Sequence, residues 1–514
     1  MIHNFNINKS AFWGICLFSL LLVGACNKFD EINTNPDAAE TVNASLLATH
    51  IILQNFKFQG KDAKAYLSDN AIAKYIAYGN ETILRTQYNY LGSASFAPMT
   101  MLPDIKHMLD YAKQTQTENS YKGLAKFSEA FMFYRLTMQV GDIPLQSAGE
   151  GADGNIRPPY DKQEAVFVTI LDDLKEADTL FAKGKPFDGD PTPYEGDPKK
   201  WRRAVNAFTL RVLLSLAPKA DDDNLQIKSR FAAIVHNSPL LEENTGFLGL
   251  EYSSEHPHPM SGTNDLFTSR TMISRLIISN LKKLNDRRLF YFADPAPTKI
   301  NGGGLSESDT AAYVGAKVSD NYDDLTAELK NNKYSLINSR YLKVQAGDPR
   351  IMISYAQQQL VLAEARDLGW ISTGSAKQYY ESGVKAALSA YLSVDQDFVH
   401  NNPITNSYID QYFTGEAAFK STKEEQLKQI WLQRYLLNFM QDPITSYFLH
   451  RRTNYPEFPA NPATSLNVNN KKAIPVRWLY PQSEYNYNRE NLTEALDRQF
   501  GGADEINEKI WLLK

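Results

Sequence analysis

The sequence predicts a mostly α-helical body with long, elaborated loops. Apolar residues recur at helical spacing through much of the chain, whereas runs that alternate between apolar and polar residues, as strands require, are few. Segments rich in Gly, Pro, Asn and Asp separate the helical runs. With 514 residues, of which 43% are hydrophobic, the chain can bury a large core.

The first 25 residues are predicted to be an export signal. Lys9 precedes an apolar stretch that covers residues 11–25, and no acidic residue comes before it. A helix that spans a membrane needs roughly 20 apolar residues, so this stretch is short for a permanent span. An uncleaved signal anchor is the alternative.

Cys26 ends the apolar stretch. Val23-Gly24-Ala25-Cys26 resembles the lipobox of a bacterial lipoprotein, in which the cysteine thiol is the nucleophile that takes the lipid. We expect cleavage before Cys26, followed by a single ligand-binding domain, residues 26–514, on a short lipid tether. Cys16 would leave with the signal, so the rest of the body holds no disulfide and no cysteine-based zinc site.

Three helical runs are predicted in the first half of the body. The first ends at Gly141–Pro144, and the second opens with Asp161 and Glu164 in capping-box spacing. The predicted core faces of the three runs are Leu124, Phe127, Phe131, Tyr134 and Met138; Phe167, Ile170, Leu174, Ala177 and Phe181; and Trp201, Val205, Phe208 and Val212.

A pair of helices is predicted in the second half, in "SYAQQQLVLAEARDLGW" and "SAKQYYESGVKAALSAYL". Gly369 and residues 372–374 separate the two runs, and Ala363, Ala365 and Ala386 are small enough for close approach. The pair resembles a tetratricopeptide-type hairpin. A solvated helical bundle is the alternative, with the same all-α composition.

No enzyme motif is present in the sequence. It lacks the nucleophile elbow, the phosphate-binding loop, the dinucleotide fingerprint and the H-E-x-x-H zinc motif. The net charge of −5 gives no basic footprint for nucleic acid. No catalytic residue, metal site or cofactor is therefore predicted.

Two loops hold residues that could ligate a metal. His256 and His258 could offer imidazoles, although we favour a solvated loop because no third ligand is apparent. A structural Ca²⁺ ion is the alternative for the second loop, although its acids lack EF-hand spacing. These acids are Asp188, Asp190, Glu195 and Asp197.

Several stretches resemble the SusD/RagB-type nutrient-binding outer-membrane lipoproteins, in the second, SusD-like branch. They are "FDEINTNPDAA", "LKKLNDRRLFYFADPAPT", "MISYAQQQLVLAEARDLGW", "ITSYFLHRRTNYPEF" and "IPVRWLYPQSEYNYNRENLTEAL". The resemblance extends from about residue 26 to the C-terminus. The chain departs from the family pattern at Ala356, where Glu is frequent, at Tyr447 and Leu449, and at Asn454, where Gly is common.

The resemblance implies tetratricopeptide-like helix pairs, a ligand surface made by loops, and binding rather than catalysis. It also implies a partner, a SusC-type TonB-dependent transporter over which the lipoprotein lies as a lid. Glycans are the usual ligands, with peptides in some branches. Asp30 and Glu31 resemble the acidic export signals that follow the lipidated cysteine in surface lipoproteins, so we expect the outer face of the outer membrane.

A glycan site needs exposed aromatic rings beside planar polar side chains. The stretch "YIAYGNETILRTQYNYLGSASF" has this mixture, and the loop "SGTNDLF" adds further candidates; Tyr75, Tyr88 and Phe96 could equally belong to the core. The predicted ligand-binding residues are Tyr78, Asn80, Arg85, Tyr88, Asn89, Tyr90, Asn264 and Phe267.

The C-terminal arginine motifs are a competing place for a site. For Arg451, Arg452, Arg477 and Trp478 we favour a structural role, in which guanidinium groups tie loops to carbonyls and carboxylates. Two other functions remain open at this point: a surface glycoside hydrolase with unrecognised carboxylates, and a helical-repeat scaffold that binds only protein.

Overall fold

A computed structural model describes residues 42–58, 63–79, 83–242, 246–258, 260–261 and 269–514. Within it, Ala44–Lys514 forms one compact unit. The predicted signal peptide, Cys26 and the boundary between them lie outside the described residues.

Helices dominate this unit, as the periodicity predicts. The part of the chain that the structure describes contains 19 α-helices. They are α1 (Ala44–Phe56), α2 (Ala63–Ile72), α3 (Leu102–Ala112), α4 (Glu118–Val140), α5 (Gln163–Lys183), α6 (Pro198–Ser215), α7 (Ile227–Asn237), α8 (Arg275–Lys283), α9 (Arg288–Phe292), α10 (Pro297–Asn301), α11 (Tyr322–Lys330), α12 (Arg340–Lys343), α13 (Tyr355–Asp367), α14 (Ala376–Ser389), α15 (Asn406–Gln411), α16 (Lys423–Leu437), α17 (Pro443–Thr453), α18 (Gln482–Tyr487) and α19 (Arg489–Phe500).

Four short strands form two antiparallel ribbons. The strands are β1 (Ile76–Tyr78), β2 (Phe247–Leu250), β3 (Thr271–Ile273) and β4 (Arg350–Ser354). β1 pairs with β3, and β2 pairs with β4 around an irregularity at Leu248/Gly249. No described helix is long and apolar enough to cross a membrane.

The three predicted core faces are confirmed. α4 packs against α5, and α5 packs against α6; every residue predicted for the three stripes is buried. Trp201 of α6 is fully buried, with ring centroids 5.5 Å from Phe127 and 5.7 Å from Phe181. Aromatic contacts of this kind join the three helices into one core.

The predicted hairpin of α13 and α14 is also confirmed. α13 ends before Gly369, and the Ser375 Oγ caps α14 by accepting a hydrogen bond from the Gln378 N–H. The two helices come close together at Gly383, where a Cβ atom would lie 2.9 Å from Leu360 Cγ and 3.1 Å from the Ala356 carbonyl oxygen. The Ala356 side chain, at a position where the family often has Glu, is buried in one apolar cluster with Ala386 and Ala387 of α14.

The predicted capping box at the start of α5 is wrong. The helix begins at Gln163, and its N-cap residue, Lys162, makes no side-chain cap. The Asp161 carboxylate instead accepts hydrogen bonds from the Leu145 and Gln146 N–H groups, each at 2.9 Å. A long-range contact with the loop after α4 has replaced the local cap.

Candidate functional site

The β1–β3 ribbon holds Tyr78, one of the predicted site residues. Tyr78 pairs with Thr271, and the Gly79 N–H donates to the Arg270 carbonyl at 3.1 Å. The end of β1 and the start of β3 therefore lie at the same end of the ribbon, although the strands are almost 200 residues apart in sequence. Three predicted site residues, Asn80, Asn264 and Phe267, lie outside the described residues.

Three other predicted site residues lie in the interior. Tyr78, Tyr88 and Asn89 are 6%, 4% and 5% exposed. The Tyr78 N–H donates to the Gln87 side chain at 3.0 Å, and the Tyr88 hydroxyl donates to the Asp320 carbonyl at 3.1 Å. These contacts tie the segment to its surroundings and leave the three side chains little surface for a ligand.

Lys74 supports the turn at residues 85–90 from the protein interior. It is buried, and its Nζ donates to the Gln87 carbonyl at 2.7 Å and to Asn89 Oδ1 at 2.8 Å. Burial lowers the pKa of Lys74 to about 7. Asn89 ends the short 3₁₀ helix Arg85–Tyr88 in the left-handed conformation, φ 65°, which Asn tolerates better than most residues.

Arg85 and Tyr90 are the two predicted residues that the turn presents at the surface. Arg85 is exposed and Tyr90 is half-buried. The Arg85 Cζ lies 3.7 Å from the centroid of the Tyr90 ring, close enough for cation–π attraction. This pair supplies the planar polar group and the aromatic ring that sugar recognition needs.

An open cleft of about 390 Å³ adjoins the segment that supports this turn. Gln87 Nε2 donates to the Val318 carbonyl at 3.0 Å, so the turn is fastened to one wall of the cleft. The charged side chains along the cleft are Arg275, Lys317 and Glu457. None of these three residues was predicted from the sequence, because no local pattern distinguishes them from ordinary surface charges.

A second cavity of about 390 Å³ lies at the other end of the predicted segment. Its walls come from α1, the residues before and at the start of α3, α4 and the first residue of β4. Two of its cations are Arg350, which is buried, and Arg135, which is half-buried. Sequence reasoning missed both, although Arg135 gave a signal: it is a charged residue inside the largely buried run "FMFYRLTM".

The acidic loop before α6 is folded by its own hydrogen bonds. Asp190 accepts from the Thr192 and Gly196 N–H groups and from the Trp201 indole N–H at 2.7–2.9 Å. Asp197 caps α6 by accepting from Lys199 N–H. Within the described ranges, no group of three or more His, Cys, Asp or Glu residues could hold a metal ion. The Asp190 carboxylate thus serves the loop itself, and the Ca²⁺ alternative has no support.

The two histidines of the "HPH" loop differ from each other. His256 is exposed, as predicted for a solvated loop. His258 is 5% exposed, its ring centroid lies 5.0 Å from that of Phe58, and its Nδ1 accepts from the Met260 N–H at 3.1 Å. Burial lowers the pKa of His258 to about 4, so it is a neutral packing residue.

The structural interpretation of the C-terminal arginines is confirmed. Arg451 donates to the Met138 and Val476 carbonyls at 2.7 and 2.8 Å, and Arg477 pairs with Asp504. Trp478 is buried.

Arg452 and Arg434 both bind Glu364, which is fully buried on α13. Burial by itself would raise the pKa of Glu364, but the two guanidinium groups hold it below its usual value. This network joins α13, α16 and α17.

Comparison with known families finds one that covers most of the chain. The SusD-like family profile, described as starch-binding proteins that associate with the outer membrane, matches residues 36–481. A comparison with curated proteins finds no match.

Solved structures with the same fold cover 92% of this chain. A SusD homologue from Bacteroides fragilis NCTC 9343 is 37% identical, with a TM-score of 0.87 over 100% of its own chain. A protein from Bacteroides vulgatus ATCC 8482, assigned to the outer membrane and to nutrient binding, is 30% identical, with a TM-score of 0.82 over 100% of its chain. A chitin-binding protein at 22% identity and a TM-score of 0.73, covered over 99% of its chain, is similar in fold.

Proposed function

Because this chain belongs to the SusD-like family of nutrient-binding proteins that associate with the outer membrane, we propose that it captures a glycan at the cell surface and delivers it to a SusC-type TonB-dependent transporter. Proteins of this family bind nutrients and are not catalysts. The activity is therefore binding, and the glycoside hydrolase alternative is set aside.

The stacked pair of Arg85 and Tyr90 is the observation that supports the ligand surface best. The buried residues Tyr78, Tyr88 and Asn89 hold the turn in place and act through it, without touching the ligand. Arg85 offers hydrogen-bond donors to sugar hydroxyls, and Tyr90 offers ring surface to the C–H face of a sugar. Asn80, Asn264 and Phe267 belong to this proposal as predicted ligand-binding residues that lie outside the described part of the chain.

The ligand surface is tested with a double variant, Arg85→Ala with Tyr90→Ala. We expect the variant's affinity for an oligosaccharide that the wild type binds to fall about tenfold or more, because a charged hydrogen bond and a ring contact are lost. Isothermal calorimetry against a panel of starch-, chitin- and plant-cell-wall-derived oligosaccharides provides the measurement. Tyr111→Ala is the matched control, since Tyr111 lies on α3 and is 52% exposed.

Unchanged affinity in a folded double variant would remove Arg85 and Tyr90 from the site. Replacing Tyr78 or Tyr88 is less informative, because loss of either buried side chain also disturbs the fold.

Delivery to a transporter is tested by purification from detergent-solubilised outer membrane. We expect the tagged full-length protein to bring down a large β-barrel protein in a stoichiometric amount. A preparation that binds glycans but never contains such a barrel would contradict the lid arrangement. A preparation that binds other proteins and no glycan would favour the helical-repeat scaffold.

A further inference from the structure

The second cavity holds two arginines that lack an anionic partner. Arg350 is the first residue of β4 and is 7% exposed. Among the described residues, it forms no ion pair within 4.0 Å, and its Nε makes no hydrogen bond. The Arg350 Cζ lies 4.1 Å from the centroid of the Phe58 ring, and beyond ion-pair distance its charge is felt by Asp442 and Asp69. A buried guanidinium with unfilled donors is costly to the folded state.

Backbone packing forces Arg350 into this position. β2 runs beside β4, and Leu250 pairs with Arg350. At Gly249 a Cβ atom would lie 1.9 Å from the Arg350 carbonyl oxygen, so only glycine permits this approach. The arginine is thus held by a specific strand contact.

Arg135 lies across the same cavity on α4. It is half-buried, its Cζ lies 5.8 Å from the centroid of the Phe131 ring, and it forms no ion pair with any described residue. Two guanidinium groups therefore line one cavity with donors that no described carboxylate satisfies.

The acidic groups nearby do not cancel this charge. Asp442 is one carboxylate shared by three arginines: the charges of Arg135, Arg211 and Arg350 all lower its pKa against the effect of burial. Of the three, Arg211 comes nearest as an ion pair, with its Nη1 3.8 Å from Asp442 Oδ2, and Asp442 also accepts from the Thr445 hydroxyl at 2.6 Å. Asp69 is more than 4.0 Å from either cavity arginine, and burial raises its pKa to about 6 although Arg135 and Arg350 act in the opposite direction.

The rim of the cavity adds one charge of each sign. Asp104 lies there 3.5 Å from His50 Nε2, and Lys57 is an exposed lining residue. In and around the cavity, the formal charges of Arg135, Arg211, Arg350 and Lys57 exceed those of Asp69, Asp442 and Asp104 by one positive charge, with histidine counted as neutral.

We propose that this cavity binds an acidic group, a carboxylate or sulfate, on a glycan ligand. The inference rests on the proposed glycan-binding function and narrows it to acidic oligosaccharides. Guanidinium groups present paired donors that match the planar oxygens of a carboxylate and also serve sulfate. The volume of about 390 Å³ lies within the range of roughly 300–1,000 Å³ that is usual for small-ligand sites.

The other lining residues suit a sugar that carries such a group. Gln54, Asn55, Ser95, Thr100 and Gln139 supply polar side chains around the opening, and Phe131, Met132 and Leu136 supply apolar surface. Ser95 belongs, like Arg85 and Tyr90, to the stretch of chain between β1 and α3.

Calorimetry with matched probes tests the proposal on the full-length protein. The probes are a galacturonic acid trisaccharide, the same trisaccharide as its neutral methyl ester, and a sulfated galactose oligosaccharide. We expect an acidic probe to bind more tightly than the ester by about 10- to 100-fold, as for hydrogen bonds to a charged group. The two acidic arms distinguish carboxylate from sulfate, and raising the NaCl concentration should weaken binding of the acidic probe only.

Variants then assign the effect to the cavity. Arg135→Gln should reduce the preference for the acidic probe over the ester by about tenfold or more, whereas Arg489→Gln, at an exposed arginine on α19, should leave it unchanged. Arg350→Met is the second variant, checked by its melting midpoint. Loss of the acidic preference with an unchanged or higher midpoint supports a ligand role, because removing an unpaired buried charge relieves the free protein.

The proposal is overturned if neither acidic probe binds more tightly than the ester, or if Arg135→Gln keeps the full acidic preference. Neutral oligosaccharides that bind through Arg85 and Tyr90 in the same experiment would leave the general glycan-binding function intact. Absence of binding to every neutral and acidic probe would count against both.

Discussion

Lys74 shows what the buried charges of this protein do at the scale of single residues. Its ammonium group satisfies the Gln87 carbonyl and the Asn89 side chain beneath the turn that carries Arg85 and Tyr90. The Glu364 carboxylate of α13 likewise has two partners, Arg434 of α16 and Arg452 of α17. Arg350 differs, since its charge meets no described partner and faces a cavity. A buried charge without a partner is the residue-scale feature that points to a ligand.

The pKa of Lys74 makes the stability of the protein depend on pH. Because its pKa is about 7 in the folded protein and about 10.4 in an unfolded chain, the unfolded chain binds more protons between these values. The free energy of unfolding should therefore rise with pH in this window, by up to about 1 kcal/mol per pH unit from Lys74 alone.

Urea unfolding at pH 7.5, 8.5 and 9.5 checks this for the wild type and for Lys74→Met. The difference in the free energy of unfolding between the two proteins should grow with pH, since the wild type alone gains this term. Lys472→Met, at an exposed lysine, serves as the control and should run parallel to the wild type. A constant difference for Lys74→Met would show that Lys74 titrates normally.

At the scale of elements, paired helices and short ribbons have different tasks. The helix pairs, such as α13 with α14, build the core through small residues and apolar stripes. The ribbons place functional side chains: β1–β3 holds Tyr78, whose N–H donates to the Gln87 side chain of the turn, and β2–β4 holds Arg350 at its cavity. Asn454 illustrates why departures from the family pattern are tolerated, because it ends α17 at φ 55°, a conformation that Asn shares with Gly.

The close approach of α13 and α14 predicts the effect of a substitution at Gly383. Gly383→Val should lower the free energy of unfolding by about 1–3 kcal/mol, because the added methyl groups meet Leu360 and the Ala356 carbonyl. Chemical denaturation measures the loss. Lys377→Val, at an exposed position of the same helix, controls for the helix propensity of valine and should cost less than about 0.7 kcal/mol. Equal losses of unfolding free energy in the two variants would mean that the α13–α14 interface accommodates the valine side chain.

At the scale of the whole molecule, the proposed function requires a soluble body held at a membrane. Ala44–Lys514 is a compact unit, and the residues that would attach it precede the described part of the chain. The family associates with the outer membrane. We propose that this chain does so through lipidation at Cys26, and the acidic residues after it are our reason for proposing a cell-surface position.

Cys26→Ala should leave the body folded but release it from the membrane, because no other cysteine remains in the mature chain to carry acyl groups. Membrane fractionation after metabolic labelling with an alkyne fatty acid gives the measurement. Cys16→Ala should stay anchored and labelled, since Cys16 is expected to leave with the signal. Membrane attachment of Cys26→Ala without label would instead support the uncleaved anchor.

The sequence by itself determined five of the helical runs, the core faces of three of them, and the family. Burial along a helix repeats every three to four residues, so residues such as Phe127 and Phe208 were identifiable from their neighbours. The role of the C-terminal arginines could also be inferred, because guanidinium groups beside aromatics commonly tie loops together. The candidate site was only half predictable: Arg85 and Tyr90 reach the surface, whereas Tyr78, Tyr88 and Asn89 face inward. A 3₁₀ turn has no periodic stripe that would separate these two groups.

Only the tertiary structure decided which side chains share a cavity. Arg135 and Arg350 are more than 200 residues apart in sequence, and their meeting depends on the contact between β2 and β4 that Gly249 permits. The sequence left Asp190 open as a Ca²⁺ ligand, whereas in the folded chain its carboxylate accepts three hydrogen bonds from its own loop and α6. Local sequence patterns show which face of an element is buried. Which charges pair with each other depends on distances that only the folded chain sets.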